Sequence, residues 1–413
     1  MGSLDYSTPI ASEPFELIFM GTGTSSSVPH VDCLTAPPGA EQCRTCLSTL
    51  YPEGKKNIRR NTSAVVRMRG PDGVRRYVLT LGLVLIPGND VRNDLRTIVI
   101  DVGKNFQTAA VEWFPKYGLR RIDAVLITHA HADAMNGLDD LRGWTLRGAI
   151  QPHVDLYVSQ ATFKEVQRAF PYLVAKEFAS GGGDVPEFKW HIIDDRVPFE
   201  IENTGIQITP FAVHHGRIFS TPPPYEFSPS PLSSSPSSTS ASTPEPPGTP
   251  VHACHELSSD TAKPIQPYPC FGFVVQNKLV YLSDVSHIPE DVWRFLKGDE
   301  GRASVPPVFV LDCLRLQPHT SHLGLAESIG IARQMGAQRT YLTGFGHEVS
   351  HDEYVTFGEA AGGKVKSTRL TPTEKQGMPL VGHGKNVWVR PAFDGLRVFV
   401  SEKGATRDEE YDL

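Results

Sequence analysis

The apolar positions of this chain fall into short unbroken runs, and stretches of helical spacing separate them. Residues 15–20, 63–68, 97–101, 122–127 and 154–158 have the length and β-branched content of buried strands. Among them, 106–117, 138–146 and 160–170 carry the spacing of helices. The second half repeats this logic, with strands expected at 206–211, 271–275, 279–282, 308–311 and 339–342 and helices at 289–296 and 325–335. Two sets of alternating strands and helices suit two sheets packed face to face with helices outside. This is the four-layer αββα sandwich of the α+β class. Its functional edge should lie where loops from both halves meet.

Two stretches interrupt the pattern. Residues 70–96 look like an insertion with its own apolar patch at 77–86. Residues 220–267 are dominated by proline, serine and threonine, and such a composition buries too little apolar surface to offset chain entropy. The expectation is one enlarged domain over 1–413, with a disordered insertion at 220–267. A formal net charge of −6 argues against a general nucleic-acid binder, which carries a basic footprint. No apolar run reaches the ~18 residues of a membrane span. The N-terminus shows no basic region followed by an apolar one, and Tyr6 stands where a myristoylation motif wants serine or threonine. These features suggest a cytoplasmic protein.

The chemistry concentrates after the run at 122–127, in Thr128-His129-Ala130-His131-Ala132-Asp133-Ala134. At the end of a strand this alternation turns two imidazoles and a carboxylate toward one volume, and zinc favours such ligands. Six cysteines are few for 413 residues, and three of them, Cys33, Cys43 and Cys46, lie close together. In a reducing compartment this grouping suits part of a structural zinc site better than a disulfide. Cys254, Cys270 and Cys313 show no such grouping.

His-x-His-x-Asp followed by Gly137-Leu138-Asp139-Asp140 resembles the metallo-β-lactamase fold, and within it the branch of the phosphoribosyl cyclic phosphate phosphodiesterase. Gly21-Thr22-Gly23-Thr24-Ser25-Ser26, Ile100-Asp101-Val102-Gly103 and Val213-His214-His215-Gly216 extend the resemblance. Tyr281-Leu282-Ser283-Asp284, Pro318-His319-Thr320-Ser321-His322, Leu342-Thr343-Gly344-Phe345-Gly346-His347 and Ala392-Phe393-Asp394-Gly395 follow in family order. The resemblance implies a first metal held by His129, His131, His215 and Asp284, with His215 preferred to His214 because Gly216 follows it. It also implies a structural zinc held by Cys33, Cys43, Cys46 and His347. His322 matches a histidine that holds phosphate or protonates the leaving oxygen.

The second metal of that family needs Asp133, a histidine after it, the bridging Asp284 and a late histidine. Here Ala134 and Gly344 stand at the two histidine positions. Both departures fall on one ion, so a single active-site metal is expected, with Asp133 released to act as base or to orient water. His351 and His383 are the alternative ligands that could restore a second ion. Restoring histidine at 134 and 344 would be expected to recruit it.

The expected function is therefore a metal-dependent hydrolase of a small-molecule phosphodiester, a cyclic phosphate, attacked by metal-bound hydroxide, with zinc, manganese or iron at the active site and a structural zinc elsewhere. The catalytic candidates are Asp133 and His322. Membrane attachment is not expected, and a homodimer is a possible assembly. Two other classes stand beside this reading: a catalytically weak relative kept for binding or scaffolding, and a mononuclear iron oxygenase using the same histidines.

Overall fold

The computed structural model describes residues 15–70, 75–79, 82–86, 95–181, 183–218, 266–298, 305–364 and 369–412. The strands of the first half are β1 (Phe15–Gly21), β2 (Ser63–Arg69), β3 (Arg75–Leu79), β4 (Gly82–Ile86), β5 (Leu95–Ile100), β6 (Ala124–Leu126), β7 (Val154–Val158) and β8 (Phe188–Ile192). Those of the second are β9 (Phe199–Glu200), β10 (Gln207–Arg217), β11 (Pro267–Val275), β12 (Leu279–Leu282), β13 (Val308–Asp312), β14 (Arg339–Thr343), β15 (Val389–Pro391), β16 (Arg397–Val400) and β17 (Thr406–Asp408).

They form an eight-stranded sheet, ordered β17-β16-β1-β2-β5-β6-β7-β8, and a seven-stranded sheet, ordered β15-β14-β13-β12-β11-β10-β9. In each sheet one flank is antiparallel and the other parallel. The parallel flanks are β5 to β8 and β12 to β15. Alternation along β1 shows how the layers are built. Leu17 and Phe19 share the core between the sheets with Tyr281, Val310 and Tyr341, while Ile18 and Met20 join Phe106, Ala110 and Trp113 in an outer core. A second outer core packs the helix Leu325–Met335 on the other sheet through Leu325, Ile329 and Ala332. Strands buried on both faces explain why the apolar runs are continuous. Helix, sheet, sheet, helix is the αββα sandwich, as expected from the sequence.

Several boundaries differ. Residues 138–146 do not form one helix. They break into a 3₁₀ turn, Leu138–Leu141, a helical turn, Arg142–Thr145, and a further 3₁₀ turn, Leu146–Gly148, in which Arg147 has φ of 52°. Gly143 weakens the middle, and the left-handed Arg147 ends it. Pro267, assigned to the insertion, opens β11, and Leu95 and Arg96 open β5. Within 70–96, β3 and β4 pair as a separate two-stranded hairpin. Ile218 N donates to Gln266 O at 2.8 Å, so the two sides of the long insertion are adjacent. Residues 219–265, with Cys254, lie outside the described residues. Two helices near the C-terminus, His351–Ala361 and Pro372–Val381, were not expected. Among the described residues no helix is long and apolar enough to cross a membrane.

Candidate metal centre

The carboxyl ends of the parallel strands converge on one edge. β5 ends before Asp101, β6 leads to Thr128 and the histidine motif, β12 leads to Asp284, and β13 ends in Asp312. Ligand sites in such sheets lie outside the carboxyl ends of the strands, where loops can meet.

The centre rests on Asp101, a buried residue with φ of 61°. Its carboxylate accepts the Thr128 backbone N–H and the Thr128 hydroxyl, each at 2.8 Å. With that hydroxyl proton committed, Thr128 Oγ1 accepts from His129 Nδ1, also at 2.8 Å. The lone pair of His129 is thereby left on Nε2, a buried atom with no hydrogen-bond partner. His215 is set by the same logic. Its Nδ1 donates to the Ser321 carbonyl at 2.8 Å, and its Nε2 lies 3.2 Å from His131 Nδ1. One nitrogen from each of His129, His131 and His215 falls within 4.8 Å of the others. Gly103 permits this arrangement, since a Cβ there would stand 2.0 Å from the Asp133 carbonyl oxygen.

The electrostatics suit a cation. Burial, then the neighbouring imidazoles, push His129 well below its ordinary pKa. Burial holds His215 down at about 4. His131 is open to solvent on one side, yet desolvation on the other lowers it too. Three neutral imidazoles, one with an orphaned buried lone pair, form the donor set that a zinc-like ion requires. Asp284 joins through His215, and its carboxylate, His215 and His322 lie within 4.8 Å of one another. These residues fit the metal that the resemblance implies.

His322 lies beside this set. Its Nδ1 is 3.0 Å from Asp312 Oδ2 and 3.9 Å from Asp284 Oδ1. Burial alone would lower its pKa, but the charge and hydrogen bond of Asp312, then Asp284 and Asp133, outweigh it and raise His322 to about 9. Asp312 is fully buried, and burial lifts its carboxyl to about 6 against the pull of His322. The apolar run read from the sequence, 308–311, stops one residue short of Asp312, which closes β13. The signal was present: like Asp101 and Asp284, it is a carboxylate closing or following an apolar strand.

Asp133 is not part of either histidine group. Ser25 Oγ donates to its Oδ2 at 2.5 Å, and its Oδ1 is buried without a partner. His214 faces away toward His287, with rings 5.3 Å apart. The proposed substitute ligands lie elsewhere. His351 is buried against Phe393 and bonded to the Tyr411 hydroxyl at 3.1 Å, and His383 is exposed and in no ligand group among the described residues. Arg142 pairs with Asp139 of its own turn at 2.6 Å.

A second donor set ties the N-terminal loop to the segment after β14. Sγ of Cys33, Cys43 and Cys46 lies 3.2, 3.6 and 3.6 Å from His347 Nδ1, and the four donors fall within 4.8 Å of one another. The short helix Val31–Leu34 carries Cys33. Backbone N–H groups of His30 and Cys46 donate to Cys46 and Cys43 sulfurs, and the His30 ring stacks on His347 at 3.8 Å. The buried Arg59 guanidinium fixes the loop by donating to the carbonyls of Gly346 and Val349. A closed set of three sulfurs and one imidazole fits a structural zinc.

Comparison with known proteins agrees with this fold. Residues 96–229 match the β-lactamase superfamily domain. The fold superposes on the crystal structure of a diphosphatase from the PhnP family with a TM-score of 0.54 and 19% identity, over 95% of this chain and 97% of that one. It also superposes on zinc-bound PqqB from Methylobacterium extorquens with a TM-score of 0.51 and 15% identity, over 92% and 99%. A curated relative, an octanoyltransferase of Porphyromonas gingivalis, is 26% identical over 203 residues, 49% of this chain and only 31% of that protein. The chain has the metallo-β-lactamase fold, and its residues 96–229 carry the match to the β-lactamase superfamily domain.

Proposed function

We propose that this chain is a metal-dependent hydrolase of a phosphodiester and that it works with one active-site ion. The observation that carries the reading is the pairing of a neutral three-histidine set with a cationic His322, held 3.0 Å from a buried carboxylate. When bound, a divalent ion at such a set supplies an acidified water, the nucleophile of hydrolytic chemistry.

The chain's own residues account for the rest. With Nδ1 on Asp312, the His322 imidazolium keeps its Nε2 proton for a phosphate oxygen or for the leaving oxygen. An anionic phosphodiester is the substrate class that gains from a buried cation at this position. Asp133, anchored through one oxygen by Ser25, retains the other to orient water or accept its proton. The missing second set supports a single ion: Ala134 is buried and carries no donor, and Gly344 offers only backbone.

The test is metal content together with turnover of a cyclic and an aryl phosphodiester by chelator-free protein. The reading expects two ions per chain, one structural and one catalytic, and hydrolysis that is lost in His322→Ala. Metal-loaded protein that hydrolyses neither substrate would favour the binding or scaffold class. Iron with oxygen uptake would favour the oxygenase.

A further inference from the structure

We infer that Tyr268 is a positioning residue for His131 and takes the place of the hydrogen bond that this ligand lacks. The inference rests on the metal-centre reading above but not on the reaction proposed for it.

The three histidines differ in how they are fixed. His129 Nδ1 is tied to Thr128 Oγ1, and His215 Nδ1 to the Ser321 carbonyl, each at 2.8 Å. Such bonds lock tautomer and ring orientation in metal-binding histidines. For His131 the hydrogen-bond partner found among the described residues is His215 Nε2 itself, a fellow ligand. His131 is also the exposed member of the set, so nothing else in that network prevents its ring from rotating about its side-chain bonds.

Tyr268 supplies the restraint. Its ring lies flat on His131, with centroids 4.6 Å apart and planes 4° from parallel. Against His129 and His215 it is edge-on and farther away, at 6.3 and 6.2 Å, so the flat contact is specific to His131. The tyrosine is itself held within β11, where the adjacent Pro269 pairs with His214 of β10. One residue further along the chain than Cys270, Phe271 N donates to Thr128 O at 2.9 Å, docking β11 along the histidine loop. The period-2 alternation of β11 then presents two supports in register with His-x-His. Tyr268 covers His131, and Cys270 Sγ lies 3.7 Å from His129 Nδ1. Stacking of this kind contributes beyond simple burial because the planes must stay parallel.

The test uses zinc titration into chelator-treated full-length protein, with the cysteine site as internal control. Tyr268→Phe keeps the flat ring and should bind the active-site ion as the unmodified protein does. Tyr268→Leu fills similar space without the plane and should bind it at least about tenfold more weakly, the range seen for lost outer partners of metal ligands. The structural ion and the melting temperature of the zinc-free protein should be unchanged in both. Equal affinity in Tyr268→Leu, or weakening in Tyr268→Phe as large as in Tyr268→Leu, would overturn the assignment. An independent measurement needs no variant: the His131 ring protons should show an upfield ring-current shift in the unmodified protein, and its absence would equally refute the stack. Normal zinc binding without phosphodiester turnover would instead count against the proposed reaction and leave this inference standing.

Discussion

A Cβ on Gly344 would stand 2.7 Å from Asp312 Oδ1, well inside the contact distance of two non-bonded atoms. The backbone there has φ of 78°, so the position favours glycine twice over. The residue that lacks the second-metal histidine is thus also the residue that leaves room for the carboxylate behind His322.

This changes the outcome of restoring the lost ligands. From the sequence alone, Ala134→His with Gly344→His should recruit a second ion. With Asp312 in the way, and with Ala134 itself buried, the double variant should still hold one active-site ion and lose activity because Asp312 is displaced from His322. Gly344→Ala alone should cost about 1–2 kcal/mol in backbone strain and lower kcat. Anomalous scattering from the double variant decides the matter. Two active-site ions with the Asp312–His322 contact intact would refute the steric argument.

How far the sequence could be read follows from the period of each signal. The strands that carry the centre are buried on both faces, so they appear as unbroken apolar runs, and His129, His131, His215 and Asp284 stand just beyond or at the ends of such runs, whereas His322 is marked only by the motif it shares with the family. Ser25, Thr128 and Tyr268 were not legible as parts of the centre, because a hydroxyl or phenol acquires its role only from the partner that the fold brings to it. Asp312 is intermediate: its place at the end of an apolar strand was visible, but its pairing with His322 was not. The two unexpected helices did leave a mark. Ser350 with Glu353 and Thr371 with Glu374 form capping boxes in the structure, a pattern that can be read from spacing alone.

Asp312→Asn should separate positioning from ligation. The amide can still accept from the backbone N–H groups of Val285 and Leu323 but removes the charge that holds His322 near 9. The His322 pKa should fall toward its ordinary 6.5, and kcat should drop on the order of a hundredfold. Substrate KM and zinc content should change far less. Titration of the His322 ring by NMR checks the cause directly, and an unshifted His322 with lost activity would mean that Asp312 acts in some other way.

A pH effect on stability is expected from Asp394. Burial lifts its carboxyl to about 7 from an ordinary 3.8, although the Arg60 backbone N–H and the Thr22 hydroxyl donate to it. Between those two values the folded chain holds a proton that the unfolded chain has released, so this group makes stability fall as pH rises from about 4 to about 7. Below that window and above it the contribution is flat. Asp394→Asn removes the slope, so its melting temperature relative to the unmodified protein should be more favourable at pH 8 than at pH 5. The same difference at both pH values would show that Asp394 does not titrate in the window.

Removing one sulfur should show whether the cysteine set is a metal clip. Burial raises the Cys33 thiol and lifts Cys46 to about 12, so without a cation these groups stay protonated, crowded around His347 with little to bind them together. A zinc ion reverses this by taking the thiolates as ligands, and its binding free energy then becomes folding free energy. Cys43→Ser should therefore lose the structural ion and lower the melting temperature by several degrees, while the active-site ion stays bound in protein kept below that temperature. The effect should spread to the loop 344–350, because Arg59 donates to its Gly346 and Val349 carbonyls and its His347 joins the cysteines, and hydrogen exchange there should speed up. A serine variant that keeps both ions and its melting temperature would mean that Cys33, Cys43, Cys46 and His347 are packed side chains and not a metal site.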